Sequence, residues 1–201
     1  SASEEFGSKV RSKAEMAAEI AAQIAFSAIA NNDRVGLVLF SDEIEKVVPP
    51  RKGKKHVLRV VSDILSYRPR RKGTNLAAGL TWLSHAARRK TVTFLISDFL
   101  TTGFDQSLRI VSRKHDLVPV VVLDPFEESF PDLGLVEMED PETMQRFLID
   151  TANPRIRGRF KESMKKRREE RTRLFKKLQL DHVELRSGEE SPLAPPRIRL
   201  P

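Results

Sequence analysis

With 201 residues and 39% hydrophobic content, the chain is large enough for one folded α/β domain, and its lack of cysteine excludes disulfides and thiolate metal sites. The net charge of +8 is local: residues 155–177 hold 12 basic and 3 acidic side chains, while the remainder is close to neutral at 24 and 25. No apolar run approaches the roughly 20 residues that span a bilayer, and the polar opening Ser1-Ala2-Ser3-Glu4-Glu5 is not a secretory signal.

Residues 12–30 read as a helix, because Met16, Ile20, Ile24 and Ala28 recur every four residues and Ala17, Ala21 and Ala25 widen the stripe. Asn31-Asn32-Asp33 ends it with turn chemistry. Residues 34–40 form a short apolar run expected as a buried strand, and residues 44–48 a second strand stopped by Pro49-Pro50. A turn at Ser41-Asp42-Glu43 joins the two as a hairpin. Helical patterns follow over 54–65, with Val57, Val60, Val61, Ile64 and Leu65 on one side, and over 74–88, with Leu76, Leu80 and Leu83 inward.

Residues 91–97 make the clearest buried strand, residues 105–114 a fourth helix, and residues 117–123 another apolar strand. Strands alternating with helices of this length predict a mostly parallel, doubly wound α/β sheet covered on both faces. After Asp124 the pattern changes to two short strands, 133–138 and 144–150, around Glu139-Asp140-Pro141-Glu142. Asn153-Pro154 then opens a long basic helix running to about residue 178, by cap and first-turn preference. A last strand covers 182–185, and residues 187–201, with four prolines, read as a loose tail. The domain is therefore set at 1–186 and the tail at 187–201.

Function in a parallel sheet collects at the carboxyl ends of its strands. Three loops there carry oxygen donors: Ser1-Ala2-Ser3 before the first helix, Gly73-Thr74-Asn75 before the third, and Asp98 after the strand 91–97. Hydroxyls and carboxylates drawn from separate strand ends suit a hard cation such as Mg²⁺. The set Ser1-x-Ser3, Thr74 and Asp98 resembles the metal-ion-dependent adhesion site (MIDAS) of von Willebrand factor A (vWA) domains, a Rossmann-like fold. That family's leading Asp, and the first strand before it, would fall ahead of residue 1.

The wider text resembles the bacterial domain of unknown function 58 family, whose central region is vWA-like. The matching stretches are Ser3 with Phe6-Gly7-Ser8-Lys9, Asp33-Arg34-Val35-Gly36-Leu37, Pro50-x-x-Gly53-x-x-His56 and Gly73-Thr74-Asn75-Leu76. Ile96-Ser97-Asp98-Phe99 and Glu137-x-x-Asp140-Pro141-Glu142-Thr143 complete them, in the same order. The resemblance implies a non-enzymatic protein-binding module that holds Mg²⁺ or Mn²⁺ through Ser1, Ser3, Thr74 and Asp98, with a partner's carboxylate completing the coordination. It also implies a MoxR-type AAA+ ATPase as partner, a role in assembly or maturation of other proteins, and a cytoplasmic location. Any membrane anchor would belong to upstream sequence.

Arg70, Arg71 and Lys72 are the residues expected to steer an acidic partner toward this rim. A metal-dependent hydrolase or nuclease centred on Asp98, with Asp105 and Asp124 as further carboxylates, is the alternative. Nucleic-acid binding through residues 155–177 is a third reading, against which stands the scarcity of aromatic residues, with no interleaved stacking pairs in the basic clusters. His56, His85, His115 and His182 are scattered over four elements and are read as structural or exposed.

Overall fold

The computed structural model describes residues 13–69, 73–124, 133–139 and 146–187. Its elements in chain order are α1 (Lys13–Ala30), β1 (Val35–Phe40), β2 (Ile44–Arg51), α2 (Lys54–Leu65) and α3 (Leu76–Ala86). There follow β3 (Val92–Ser97), α4 (Asp105–Lys114), β4 (Asp116–Leu123), β5 (Leu135–Glu139), β6 (Arg146–Asp150), α5 (Pro154–Lys177) and β7 (Val183–Arg186).

Among the described residues the parallel sheet has three strands, and the two expected hairpins form separate two-stranded sheets. β1 and β2 pair antiparallel, β3-β4-β7 form a parallel sheet in that order, and β5 and β6 form an antiparallel hairpin. The parallel sheet is covered on both faces. Leu95, Leu117, Val121 and Leu123 point toward Leu76, Leu80, Leu108, Val111 and Phe175 of the helices α3, α4 and α5. Val120, Val122 and Leu185 point the other way, against Met16 and Ile20 of α1. Period-two alternation along β4 thus divides one strand between two cores. A third cluster packs Ala22 and Ala25 of α1 against Val57, Val60, Val61 and Ile64 of α2 and Val48 of β2.

Two strands differ from the sequence expectation. β3 is not buried throughout: Val92 is 63% and Phe94 43% exposed, and only Leu95 is fully covered. Among the described residues β3 pairs on one side only, with β4, and β1 only with β2. Pro49-Pro50 does not stop β2, which runs on to Arg51. The register slips between Val35/Leu37 and Arg51/Val48, and a Cβ at Gly36 would lie 3.0 Å from the Pro50 ring. A bulge opposite a glycine is where a strand tolerates proline.

Helix ends follow local chemistry. Asn32 adopts φ 53, with its amide and that of Asp33 returning to Ile29 and Ala28, which closes α1 in a Schellman motif. Asn153 caps α5 by accepting from the Arg155 amide, with Pro154 in the first turn. Leu65, expected inward, is 57% exposed at the last residue of α2, where no further turn follows to cover it. Ser187, placed at the start of the loose tail, is buried and donates its amide to Leu123. His115 is buried and structural, its Nδ1 3.0 Å from the Thr91 hydroxyl. Burial, and then the charge of Lys114, lower its pKa.

Candidate functional site

Asp98 is the first residue beyond β3, at the carboxyl end of the parallel sheet. Its Oδ1 accepts the Leu100 amide at 3.2 Å, and its Oδ2 lies 3.0 Å from the Lys13 ammonium. Both side chains of that pair are about one-quarter to one-third accessible, at 28% and 29%. The sheet faces explain the encounter: α1 is held on β4 and β7 by Met16 and Ile20, which places its first turn near the β3 end.

The turn after Asp98 is under backbone strain. Phe99 sits at φ 55, a left-handed conformation that costs a side-chain-bearing residue about 1–2 kcal/mol. Its amide is accepted by Ser97 Oγ at 3.1 Å. The ring is buried, edge-on to Phe104 at 5.8 Å and Phe175 at 5.3 Å. Burying such a ring stabilises by about 1.5–3 kcal/mol, which outweighs the strain. From the other side Arg171 of α5 reaches the Asp98 carbonyl at 3.5 Å, and Arg167 the Leu100 carbonyl at the same distance. The basic helix is therefore not a solvated face along its whole length.

Thr74 is exposed in the loop before α3. The expected helix start at Thr74 is two residues early: α3 begins at Leu76, and Asn75 is its cap, accepting from the Ala78 amide at 2.9 Å. The Asn75 amide in turn donates to the Ser41 carbonyl at 2.8 Å, tying this loop to the end of β1. A Cβ at Gly73 would collide with the Asp42 carboxylate, so any larger residue there displaces that side chain. α3 follows the Thr74 loop and is linked by residues 87–91 to the start of β3.

Ser1 and Ser3, and with them Arg70, Arg71 and Lys72, lie outside the described residues. Asp105 opens α4 and Asp124 follows β4. Among the described residues no three His, Asp or Glu side chains are grouped to hold a metal ion, so Asp98, Asp105 and Asp124 do not form such a group. The oxygens of Asp98 and Thr74 are the donor type a hard cation takes, and Asp98 Oδ2 is paired with the Lys13 ammonium. Sequence reasoning missed Lys13, Asp42 and Arg171, whose contacts cross between elements far apart in sequence.

Fold and site together define an α/β protein with a carboxylate, salt-bridged to Lys13, at the end of a parallel strand. The fold is shared with the crystal structure of the conserved hypothetical protein BatB from Bacteroides thetaiotaomicron, at a TM-score of 0.52 and 13% identity over 85% of this chain and 80% of that one. The chain belongs to the family described as Protein of unknown function DUF58, whose profile matches residues 1–170. It is 29% identical over 158 residues to the uncharacterized proteins Rv1480 of Mycobacterium tuberculosis and Mb1516 of Mycobacterium bovis, covering 76% of this chain and 50% of each relative. To the uncharacterized protein MAV169 of Mycobacterium avium it is 33% identical over 79 residues, or 38% of this chain and 47% of that one. The chain thus spans about half the length of the curated relatives it matches. No helix among the described residues is long and apolar enough to cross a membrane.

Proposed function

We propose that the chain is a non-catalytic protein-binding module of the von Willebrand factor A type, which docks an acidic group of a partner at the rim around Asp98 and Thr74. The observation that carries this reading is the Lys13–Asp98 pair: the carboxylate at the end of β3 is placed to hold positive charge. In this reading Mg²⁺ or Mn²⁺ binds through Ser1, Ser3, Thr74 and Asp98. The bound ion supplies a positive charge that accepts a partner's carboxylate. Arg70, Arg71 and Lys72 steer that partner, which is a MoxR-type AAA+ ATPase or a protein assembled with its help in the cytoplasm. The ordered family stretches and the α/β fold support this reading of the class.

Calorimetric titration with Mg²⁺ and Mn²⁺ tests it, on the 201-residue chain and on its Thr74→Ala/Asp98→Ala variant. Binding by the parent that disappears in the variant is the expected result. A parent that binds neither ion removes the cation from the proposal. Charge reversal at Arg70 and Arg71 is expected to lower affinity for the ATPase and flatten its salt dependence. Unchanged affinity and salt dependence would take those residues out of the interface.

A further inference from the structure

α5 is held to the rest of the protein along one side. Its buried residues, Arg171 and Phe175, both lie in its last two turns. Nearer its start Ile156, Phe160 and Met164, four apart, are half-buried and mark the inward side. The outward side carries Arg155, Arg159, Glu162, Lys166, Glu169 and Arg173, all exposed. Their spacing alternates four and three, the interval at which a stripe keeps facing one neighbouring helix. A rise of about 1.5 Å per residue makes the row about 27 Å long. Its charges do not serve the helix itself. Arg155 and Arg159 repel as like charges one turn apart, and no acidic residue stands in the first turn, where the dipole opposes cations. Lys161 and Lys165 repeat the like-charge pair beside the row. Glu169 and Arg173 are joined at 3.3 Å, whereas the side chains of Arg155, Arg159, Glu162 and Lys166 have no ion pair among the described residues.

We propose that this stripe docks an acidic helical segment of a partner protein, whose charges run opposite to its order of basic, basic, acidic, basic, acidic, basic. A helix face that is polar throughout is sustained by ion pairs one turn apart or by contact with another element, and along this row one such pair is formed. The two glutamates decide the class of partner. A phosphate backbone or an anionic bilayer is negative everywhere along its surface, so Glu162 and Glu169 would be set against it. A protein helix places a basic side chain opposite each of them and carboxylates opposite the four cations. This docking uses neither Thr74 nor Asp98, and it stands or falls separately from the cation reading of that rim.

The probe is a synthetic helical peptide with Glu opposite the four cations and Lys opposite the two glutamates. Its control is a peptide of the same composition with those charges out of register. Fluorescence anisotropy at low salt is expected to show the matched peptide binding the 201-residue chain about tenfold more tightly than the control. Equal affinity for the two, or no binding of either, would overturn the stripe. Arg159→Glu/Lys166→Glu is expected to weaken the matched peptide by about tenfold, and unchanged affinity would place the peptide elsewhere on the protein. Glu162→Lys/Glu169→Lys is expected to weaken the matched peptide and to strengthen binding of a DNA duplex of arbitrary sequence. A parent chain that takes that duplex, or phosphatidylserine vesicles, in preference to the matched peptide refutes the protein partner. Should either double variant fail to fold, the two peptides compared on the parent chain decide the matter.

Discussion

The Arg171 guanidinium lies 2.6 Å from Glu184 Oε1 across the seam between α5 and β7, and Arg168 takes the other carboxylate oxygen, also at 2.6 Å. Glu184 pairs with Val121 in the parallel ladder, which turns its side chain toward the same face as Leu95 and Phe175. The long basic helix is thereby fastened to the sheet that carries Asp98.

Arg171 is 6% accessible at its side chain and Arg168 44%. Replacing Arg171 with Met leaves the Glu184 charge in a largely covered place and should cost about 3 kcal/mol. Replacing Arg168 the same way should cost about 1 kcal/mol or less, because that partner is open to water. Urea denaturation of the two variants measures the difference; equal losses would show that Arg171 does not carry the seam.

Burial pushes the Glu184 carboxyl upward, but the hydrogen bond and charge of Arg171 and the charge of Arg168 outweigh it and hold its pKa below the ordinary value of about 4.5. A carboxyl whose pKa is lower folded than unfolded binds more protons when unfolded. Its stabilisation is therefore complete above about pH 4.5 and is lost as the pH falls through the lower, folded value. Glu184→Gln should flatten that acid limb when unfolding free energy is followed from pH 6 to 3. A limb of undiminished slope in the variant would assign it to other carboxylates.

Phe99 combines a left-handed backbone with a buried ring. Phe99→Ala should lose about 3–5 kcal/mol through the ring. Phe99→Gly loses the ring too but sheds the left-handed strain, so it should be the more stable of the two by about 1 kcal/mol. That order is the reverse of what glycine does at an ordinary position, and thermal unfolding of the pair reads it directly.

Asn75→Ala should destabilise by about 1 kcal/mol, since it removes the acceptor for the Ala78 amide, while Asn75→Asp should retain most of the cap. If chemical denaturation gives the alanine variant full stability, the cap contributes nothing beyond what water supplies.

The family was legible from six short stretches in fixed order, and the match over residues 1–170 bears that out. The site was legible only in part. Thr74 and Asp98 could be picked out because the local pattern marks the start of a helix beside one and the end of a strand before the other. The hydrogen-bonding role expected at a helix start belongs to Asn75, one residue on, because its Oδ1 reaches the third amide of the turn while Thr74 stays outside the helix. The exposure of Val92 and Phe94 escaped prediction because apolarity records what a residue favours, not what the neighbouring elements cover.

Taken alone, the sequence determined the elements and several of their ends, since these depend on interactions within about one helical turn. The four-residue stripe of α1, the Asn31-Asn32-Asp33 stop and the Asn153-Pro154 start are of that kind. Tertiary structure alone decided that the described strands stand in three separate sheets, that Lys13 lies on Asp98, and that Arg171 meets Glu184. Those depend on which faces pack together, a choice made by the whole core, and no local periodicity records it.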